Sequence, residues 1–201
     1  TEGLIDQYTK SIIVGIGCGG ETNLTYGGQT YEIVEIGYQC WMAENLNYET
    51  TNSWWYENSS ANGDVYGRLY IWEAALNACP SGWHLPSDEE WKIMEMALGM
   101  SQSQADNTGW RGTDEGEKMK STTGWYDNGN GTNSSGFNAL PGGYRYSNGS
   151  FYFLGRSGDW WSSTEYSGSY AWNRNLGNDS DQVFRYNYYK TYGFSVRCLK
   201  D

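Results

Sequence analysis

The stretch YGRLYIWEAALNACPSGWHLPSDEEWKIMEMALGM, residues 66–100, contains the two clearest helical patterns in the chain. In its first half, apolar residues recur at intervals of three or four from Leu69 to Cys79. Pro80 follows directly and cannot continue a helix, because it lacks a backbone N–H. This pattern predicts a first helix over residues 66–79.

The second half of the stretch has the strongest helix-start signal in the chain. Ser87, followed three residues later by Glu90, forms a capping box in which each side chain binds a backbone N–H of the first turn. Trp91 and Met94 then begin an apolar stripe, which we interpret as core packing. The pattern predicts a second helix over residues 86–100.

The regions on either side of this stretch carry strand patterns. Residues 26–48 alternate apolar and polar side chains between glycine turns, which is typical of a β-hairpin. One helical turn is predicted at residues 114–120, and residues 136–201 read as short strands separated by Gly, Ser and Asn. Two helices with a loop-rich antiparallel β-sheet make an α+β fold. We expect residues 1–24 to be an N-terminal extension with one strand and residues 25–201 to be one domain.

Composition and charge exclude several classes of protein. The chain has 201 residues with 11 Trp, 18 Tyr, 5 Phe and 27 Gly, a mixture typical of a turn-rich folded domain and not of a disordered chain. The net charge is −11, and residues 1–100 hold 14 acidic residues against 3 basic ones, so we expect no binding to nucleic acid. The longest apolar run, residues 11–17, has the length of a strand, so we expect no transmembrane segment in this chain.

The four cysteines, Cys18, Cys40, Cys79 and Cys198, are widely spaced. No pair has the spacing of a zinc site, so no metal site is predicted. Two disulfides in an oxidising compartment and four buried free thiols both fit this spacing. The sequence VGIGC that ends at Cys18 is similar to a lipoprotein attachment site, although a positively charged and apolar segment does not precede it.

Candidate catalytic residues are few. A lone histidine such as His84 more often makes a local hydrogen bond than acts as a base, and the SST sequence at residues 162–164 lacks the glycine turn of a nucleophile elbow. The loop YDNGNGTN at residues 126–133 offers oxygen ligands for calcium, but it lacks the spacing of an EF-hand and is better interpreted as a turn. We therefore expect a protein that is not an enzyme and has no cofactor other than, at most, a structural calcium ion.

Aromatic residues are concentrated in the last third of the chain. Sixteen rings lie between residues 144 and 194, and Ser, Gly, Asn and Asp fill most positions between them. Tyrosine combined with these small residues is the composition of antibody binding loops. We interpret Trp160, Trp161, Trp172 and Phe194 as core residues.

The aromatic residues close to the C-terminus follow a strand pattern. Phe184, Tyr186 and Tyr188 alternate with residues of other types, which places an aromatic row on one face of a strand. The strand-like sequence GFSVRCL at residues 193–199 follows directly, and we expect it to be a buried strand. The aromatic row therefore adjoins the predicted scaffold.

Several segments of the chain resemble a known family. They are YGGQTYEIVEIGYQCWMAENLNY (26–48), GRLYIWEAALNACPSGWHLPSDEEW (67–91), GFNALPGGYR (136–145), WWSSTEYSGSYAWNRNL (160–176) and GFSVRCLKD (193–201). In this order they resemble the major paralogous domain named from Fibrobacter succinogenes, which is common in surface proteins of the Bacteroidetes type. The resemblance implies a C-type lectin-like fold, more distantly related to formylglycine-generating enzymes.

The last third, about residues 136–201, also resembles the variable proteins of diversity-generating retroelements. In that family a reverse transcriptase copies a template with errors at adenines, so asparagine codons become codons for Tyr, Ser, Asp, Gly or Phe. The resemblance implies a constant framework that includes WWSSTE, AWNRNL and GFSVRC. Twelve residues in or beside this constant framework can arise from an asparagine codon through changes at adenines. They are Tyr166, Ser169, Tyr170, Gly177, Asp179, Phe184, Tyr186, Asn187, Tyr188, Tyr189, Thr191 and Tyr192.

The resemblance implies a ligand-binding site in this third. Its candidate residues are Tyr146, Tyr152, Phe153, Tyr166, Ser169, Tyr170, Asp179, Phe184, Tyr186, Asn187, Tyr188, Tyr189, Thr191 and Tyr192. The implied function is that of a diversified binding protein, or adhesin, whose partner is a protein or a glycan on another cell or on a phage. The alternative is a carbohydrate-binding or structural surface module of the same family without diversification. Either protein is expected at a bacterial cell surface, with or without a lipid anchor, in secreted form or on a phage.

The family framework also bears on the cysteines. Cys40 lies where the family usually has another residue, which suggests an additional disulfide with Cys18. We predict the disulfides Cys79–Cys198 and Cys18–Cys40. Formylglycine-generating enzymes need a reactive cysteine pair near the C-terminus, where Cys198 stands alone. Oxidase activity is therefore not expected.

Overall fold

The computed structural model describes residues 17–201, which form an α+β fold with antiparallel sheets. The strands of this part are β1 (Asn23–Tyr26), β2 (Gln29–Ile36), β3 (Gln39–Met42), β4 (Ser53–Trp54), β5 (Leu69–Tyr70), β6 (Trp83–His84), β7 (Gly109–Arg111), β8 (Tyr144–Arg145), β9 (Phe151–Tyr152), β10 (Ser157–Ser167), β11 (Tyr170–Gly177), β12 (Val183–Tyr189) and β13 (Leu199–Lys200). The helices are α1 (Ser60–Tyr66), α2 (Trp72–Ala75), α3 (Asp88–Ala97), α4 (Gln102–Asp106) and α5 (Glu115–Met119). The strand predicted at residues 11–17 falls almost wholly outside the described residues.

The first sheet has the strand order β1-β2-β3-β13-β6 and is antiparallel. The predicted alternation along β2 is present, since Tyr31 and Ile33 are buried and Glu32 between them is exposed. Gly27 and Gly28, both at positive φ, form the turn between β1 and β2. β1 begins at Asn23, just before residue 25, where the domain was predicted to begin.

The second sheet has the order β10-β11-β12-β7 and carries the candidate site. Its strands β10, β11 and β12 have 11, 8 and 7 residues and are longer than predicted, whereas β8, β9 and β13 in the same third are short, as predicted. Glycine, serine and asparagine interrupt the sequence pattern, but the pairing of β10 with β11 continues through them with shifts of register between Trp161 and Ser167. β7 completes the sheet by pairing with β12, where Arg111 lies opposite Val183.

Helix α3 confirms the second predicted helix. The Ser87 Oγ accepts a hydrogen bond from the Glu90 backbone N at 3.2 Å, and the Glu90 carboxylate accepts one from the Ser87 backbone N at 2.7 Å. This is the predicted capping box. Trp91 and Met94 are fully buried, and the helical turn predicted at residues 114–120 is present as α5.

The first predicted helix, residues 66–79, was wrong, because this segment forms β5 and the four-residue helix α2. The backbone N of Tyr70 donates to the Phe194 carbonyl at 2.8 Å, and the Phe194 N donates to the Tyr70 carbonyl at 3.0 Å. This long-range pairing outweighs the local helical spacing, and Leu76 is exposed instead of facing a core. Residues 17–201 contain five α-helices and one 3-10 helix at Tyr56–Asn58, not the two helices that were predicted.

The core consists of two apolar clusters on opposite faces of the β10–β11 pair. Trp161 packs on Phe194 in one cluster, with ring centroids 4.3 Å apart, and Trp160 lies in the other. Adjacent tryptophans occupy different clusters because consecutive strand residues point to opposite faces. The prediction that Trp160, Trp161 and Phe194 are core residues is confirmed. Trp172 is only half-buried and stacks on the Arg185 guanidinium at 3.8 Å, so its assignment to the core was wrong.

Residues 193–199 are buried, as expected, but only Leu199 of this segment belongs to a named strand. Gly193, Phe194 and Ser195 form isolated bridges to Arg145, Tyr70 and Trp160. The carbonyls of Val196 and Cys198 accept hydrogen bonds from the backbone N–H groups of Leu46 and Met42. The segment therefore lies between the two sheets and contacts both.

Both expected disulfides, Cys18–Cys40 and Cys79–Cys198, are present. Cys79–Cys198 ties the chain just after α2 to the buried segment at residues 193–199. Because the Cys18 sulfur is bonded to Cys40, it cannot also carry a lipid. The interpretation of VGIGC as a lipid-attachment site is therefore incompatible with this disulfide. Disulfides are compatible with an extracellular protein. Among the described residues, no helix has the length and apolarity needed to cross a membrane.

A buried ionic network joins α3 to the second sheet. Arg174 and Arg185 both bind the Asp88 carboxylate, with Nη–Oδ distances of 2.7 Å and 2.6 Å. Arg111 binds Glu95 through two hydrogen bonds of 2.9 Å and 2.8 Å. Burial alone would raise the pKa of Asp88, but the hydrogen bonds and charges of the two arginines outweigh it and lower that pKa to about 2. Buried ion pairs therefore hold α3 against one face of the second sheet.

Candidate functional site

The aromatic row on β12 faces away from the ionic network. Val183 and Arg185 are buried, whereas Tyr186 is 46% exposed and Phe184 and Tyr188 are half-buried on the other face. The rings of Phe184 and Tyr186 lie 5.8 Å apart, and those of Tyr186 and Tyr188 lie 6.0 Å apart. The strand therefore presents three neighbouring rings on one side, as the alternation predicted.

Tyr192 connects this row to the β8–β9 hairpin. Its ring lies 5.7 Å from Tyr188, 4.7 Å from Tyr146 and 6.0 Å from Tyr144, the last in a nearly parallel stack. Tyr152 in turn lies 5.9 Å from Tyr144. The two segments are distant in sequence, and Arg145 N donates to the Gly193 carbonyl at 3.0 Å to hold them side by side.

These contacts define one continuous group of rings, which we call the aromatic surface. Each ring centroid lies within 6.3 Å of another member. Its members are Trp110, Tyr144, Tyr146, Tyr152, Phe153, Tyr170, Phe184, Tyr186, Tyr188, Tyr189 and Tyr192. Most of them are exposed or half-buried, and Tyr192, which is 8% exposed, lies at the centre.

The remaining candidate residues occupy other positions. Tyr166 stacks edge-on against Trp172 at 5.0 Å, and Trp172 lies on the network side of the sheet, so Tyr166 is separate from the aromatic surface. Asn187 pairs with Trp172 in register and shares that side. Ser169 and Thr191 are exposed beside the tip of β11 and β12.

Two members of the aromatic surface, Trp110 and Tyr144, were not among the predicted site residues. Trp110 is 42% exposed and lies 5.1 Å from Phe184, because β7 pairs with the edge of β12. No local pattern around Trp110 indicates this pairing. Tyr144 could have been found, since it belongs to the same dense run of rings as Tyr146.

A cavity of about 390 Å³ opens beside Tyr188 and Tyr192. Six of its thirteen lining residues are aromatic: Trp110, Tyr144, Phe153, Tyr188, Tyr192 and Phe194. Asp179 and Arg156 also line it. The cavity therefore belongs to the same side of the molecule as the aromatic surface.

Asp159 lines this cavity and is 4% exposed. Its Oδ2 accepts a hydrogen bond from the Ser157 hydroxyl at 2.6 Å, and its Oδ1 accepts one from the Asn175 amide at 3.0 Å. Burial raises the pKa of Asp159 to about 7, although these two hydrogen bonds act in the opposite direction. Burial and the charge of Asp159 also raise the pKa of Tyr144 and Tyr188, so both keep their hydroxyl protons at neutral pH.

The loop at residues 126–133 forms turns, as interpreted from its sequence. Asp127, Asn128 and Asn133 all have positive φ. The Asp127 carboxylate binds Arg156 at 2.6 Å, and the Asn130 amide oxygen accepts a hydrogen bond from a backbone N–H. Within residues 17–201 there is no group of three or more His, Cys, Asp or Glu side chains arranged to bind a metal ion.

The fold and the disulfides define a cystine-stabilised α+β domain. Residues 34–200 match the family described as the Fibrobacter succinogenes major domain, Fib_succ_major. The chain therefore belongs to this family. No curated protein and no solved structure matches the chain.

Proposed function

We propose that this protein is a surface-displayed or secreted binding protein whose ligand contacts the aromatic surface. The proposal includes a C-type lectin-like scaffold, which family membership and the α+β architecture support. The observation that carries it is the continuous group of eleven neighbouring rings, most of them exposed or half-buried, on a disulfide-tied core. Exposed aromatic patches of this kind, with polar residues around them, are typical of interaction sites.

The geometry supports binding through rigid rings rather than through flexible side chains. Tyrosine presents a large contact area and loses little conformational entropy when a ligand binds, since it has only two side-chain torsions. Tyr146 and Tyr186 are 38% and 46% exposed, and neighbouring rings restrict both. The ligand class that fits is a protein or a glycan on another cell or on a phage. The activity that we propose is binding without a catalytic step.

The proposal extends to diversification of this surface by a retroelement. Replaceable residues must tolerate change without loss of the fold, and most of the twelve asparagine-codon residues are exposed or half-buried. The framework residues Val183 and Arg185, which alternate with them on β12, are buried. Gly177 is a buried member of the twelve, and a Cβ there would meet the Asp179 carboxylate at 2.8 Å and the Trp110 ring at 3.2 Å. A side chain at Gly177 would therefore contact two residues that line the cavity.

Sequencing the DNA downstream of the gene tests this proposal. We expect a near-copy of the codons for residues 136–201 that differs only at adenines, followed by a reverse-transcriptase gene. A downstream region without a copy would contradict diversification and would favour a constant carbohydrate-binding or structural module of the same family. Sequencing the gene from many cells of one population supplies a second readout, in which variation should be confined to the twelve codons.

A further inference from the structure

We propose that the cavity containing Asp159 binds a protonated amine or guanidinium group on an apolar stem, as in a lysine or arginine side chain. One part of this inference rests on the proposed function, namely that the cation belongs to the ligand that binds the aromatic surface. The cavity itself, its carboxylate and its aromatic walls stand independently of that function.

The first argument is the missing countercharge. Asp88 and Glu95, two buried acids of α3 that face the second sheet, are paired, since Asp88 binds Arg174 and Arg185 and Glu95 binds Arg111. Asp159 is as buried as Asp88, yet among the described residues no lysine, arginine or histidine forms an ion pair with it. A buried carboxylate without a cation is unfavourable, and a ligand cation would remove that penalty.

The second argument concerns the cationic side chain that lies closest to the cavity. Arg156 lines the cavity, but its Nη1 lies 2.6 Å from the Asp127 carboxylate. Its guanidinium also lies 5.7 Å from the centre of the Tyr126 ring. Arg156 therefore has partners other than Asp159, with which it forms no ion pair. The position of a countercharge beside Asp159 is therefore open to a ligand.

The third argument is the chemistry of the walls. A cation is attracted to the faces of aromatic rings, and this attraction is strongest where water is excluded. Tyr144, Tyr188 and Tyr192 surround the cavity together with Phe153 and Trp110. An apolar stem can pack against these rings while its charged end reaches the carboxylate. An anion or a neutral sugar would gain less, because neither neutralises Asp159.

The affinity for such a cation should depend on pH. With its pKa near 7, Asp159 is mostly neutral at pH 5.5 and mostly ionised at pH 8.5. Binding of a cation should therefore strengthen as the pH rises through about 7. The other charged groups at this cavity are Arg156 and Asp179, and the tyrosine hydroxyls of Tyr144 and Tyr188 stay protonated over the same range.

Calorimetric titration with n-butylammonium tests the proposal, with n-butanol as the uncharged probe. We expect the folded protein to bind n-butylammonium at pH 8.5 at least about tenfold more tightly than n-butanol, and to bind it more weakly at pH 5.5. Asp159→Asn should remove this preference and its pH dependence. The matched control is Asp64→Asn, which removes one exposed acidic charge outside the cavity and should leave the titration unchanged.

A second variant keeps the test independent of any effect of Asp159→Asn on folding. Tyr188→Leu retains an apolar wall but removes an aromatic face, and it should weaken n-butylammonium binding while n-butanol binding persists. Equal binding of the two probes, unchanged binding by Asp159→Asn, or no binding of n-butylammonium up to about 50 mM would overturn the inference. Failure of the proposed function is a separate result, because loss of macromolecular binding is measured at Tyr146 and Tyr186, outside the cavity lining.

Discussion

Single residues along β12 alternate between fixed and exposed positions. Arg185 is held by Asp88 at 2.6 Å and by the Trp172 ring at 3.8 Å, so replacing it would leave a buried carboxylate with one partner fewer. Tyr186, the next residue, contacts other rings but has nearly half of its surface in water. The alternation was predictable from sequence because it is local, whereas the partners of Arg185 come from distant segments and were not.

Substitutions at Trp161 and Tyr186 should differ strongly in their effect on stability. Trp161 is fully buried, and its Nε1 donates to the Tyr70 carbonyl at 2.8 Å. We expect Trp161→Ala to lower the free energy of unfolding by about 3–5 kcal/mol and Tyr186→Ser to lower it by less than about 1 kcal/mol. Tyr188→Ser should fall between them, because Tyr188 packs against the core. Denaturant unfolding measures all three, and equal losses would show that the tyrosines are core residues.

His84 should make stability depend on pH. Its Nε2 lies 3.0 Å from Glu90 and its Nδ1 lies 2.6 Å from Asp201. The hydrogen bond to Glu90, together with that to Asp201, raises the pKa of His84 from 6.5 to about 9. Because the folded pKa exceeds the unfolded one, this stabilisation is complete below about pH 6.5 and is lost as the pH rises to about 9.

The measurement for His84 is the midpoint of denaturant unfolding between pH 7.5 and 9.5, compared with His84→Gln. The wild type should lose stability over this range, and the variant should lose less. The effect should be modest and should shrink at high salt, since the imidazole is partly exposed. A variant with the same slope as the wild type would show that the two carboxylates do not hold the imidazolium.

Helices and strands could be predicted from the sequence where the residues that determine them lie close together in the chain. The capping box of α3 lies within four residues, and its prediction is confirmed. The segment that forms β5 and α2 has equally regular apolar spacing, but backbone pairing of Tyr70 with Phe194 decides its conformation. The fourth strand of the second sheet, β7, could not be assigned from sequence for the same reason. Long-range pairing leaves no pattern in a single short segment.

The two disulfides join elements and should contribute unequally to stability. Cys79 and Cys198 are 119 residues apart, and Cys18 and Cys40 are 22 apart. Because a longer closed loop restricts the unfolded chain more, removing the first bond should cost about 4–5 kcal/mol and removing the second about 3 kcal/mol. Urea unfolding of the two double Cys→Ala variants measures this. A larger loss on removal of the shorter loop would contradict the chain-entropy explanation.

The whole molecule brings together rings from four separate parts of the chain. β12 and its following turn supply one part, the β8–β9 hairpin a second, β7 a third and the start of β11 a fourth. Sequence predicted that several of these tyrosines converge, and it included Tyr166, which lies with Trp172 away from the aromatic surface. It omitted Trp110, and it did not indicate the cavity at Asp159, because both depend on how the sheets pack.

The most direct test of the central claim is binding by a pair of matched double variants. Tyr146→Ser with Tyr186→Ser removes two rings of the aromatic surface, and Tyr38→Ser with Tyr48→Ser removes two rings of similar exposure elsewhere. Fluorescently labelled protein is applied to a glycan array, to intact bacterial cells and to phage particles, after thermal unfolding has shown that both variants remain folded.

The wild type should bind at least one of these targets, and the Tyr146 and Tyr186 variant should lose at least about tenfold in affinity. The Tyr38 and Tyr48 variant should bind like the wild type. The reverse pattern, with binding lost only in the Tyr38 and Tyr48 variant, would place the ligand on another face and contradict the account. A wild-type protein that binds none of the targets would contradict it as well.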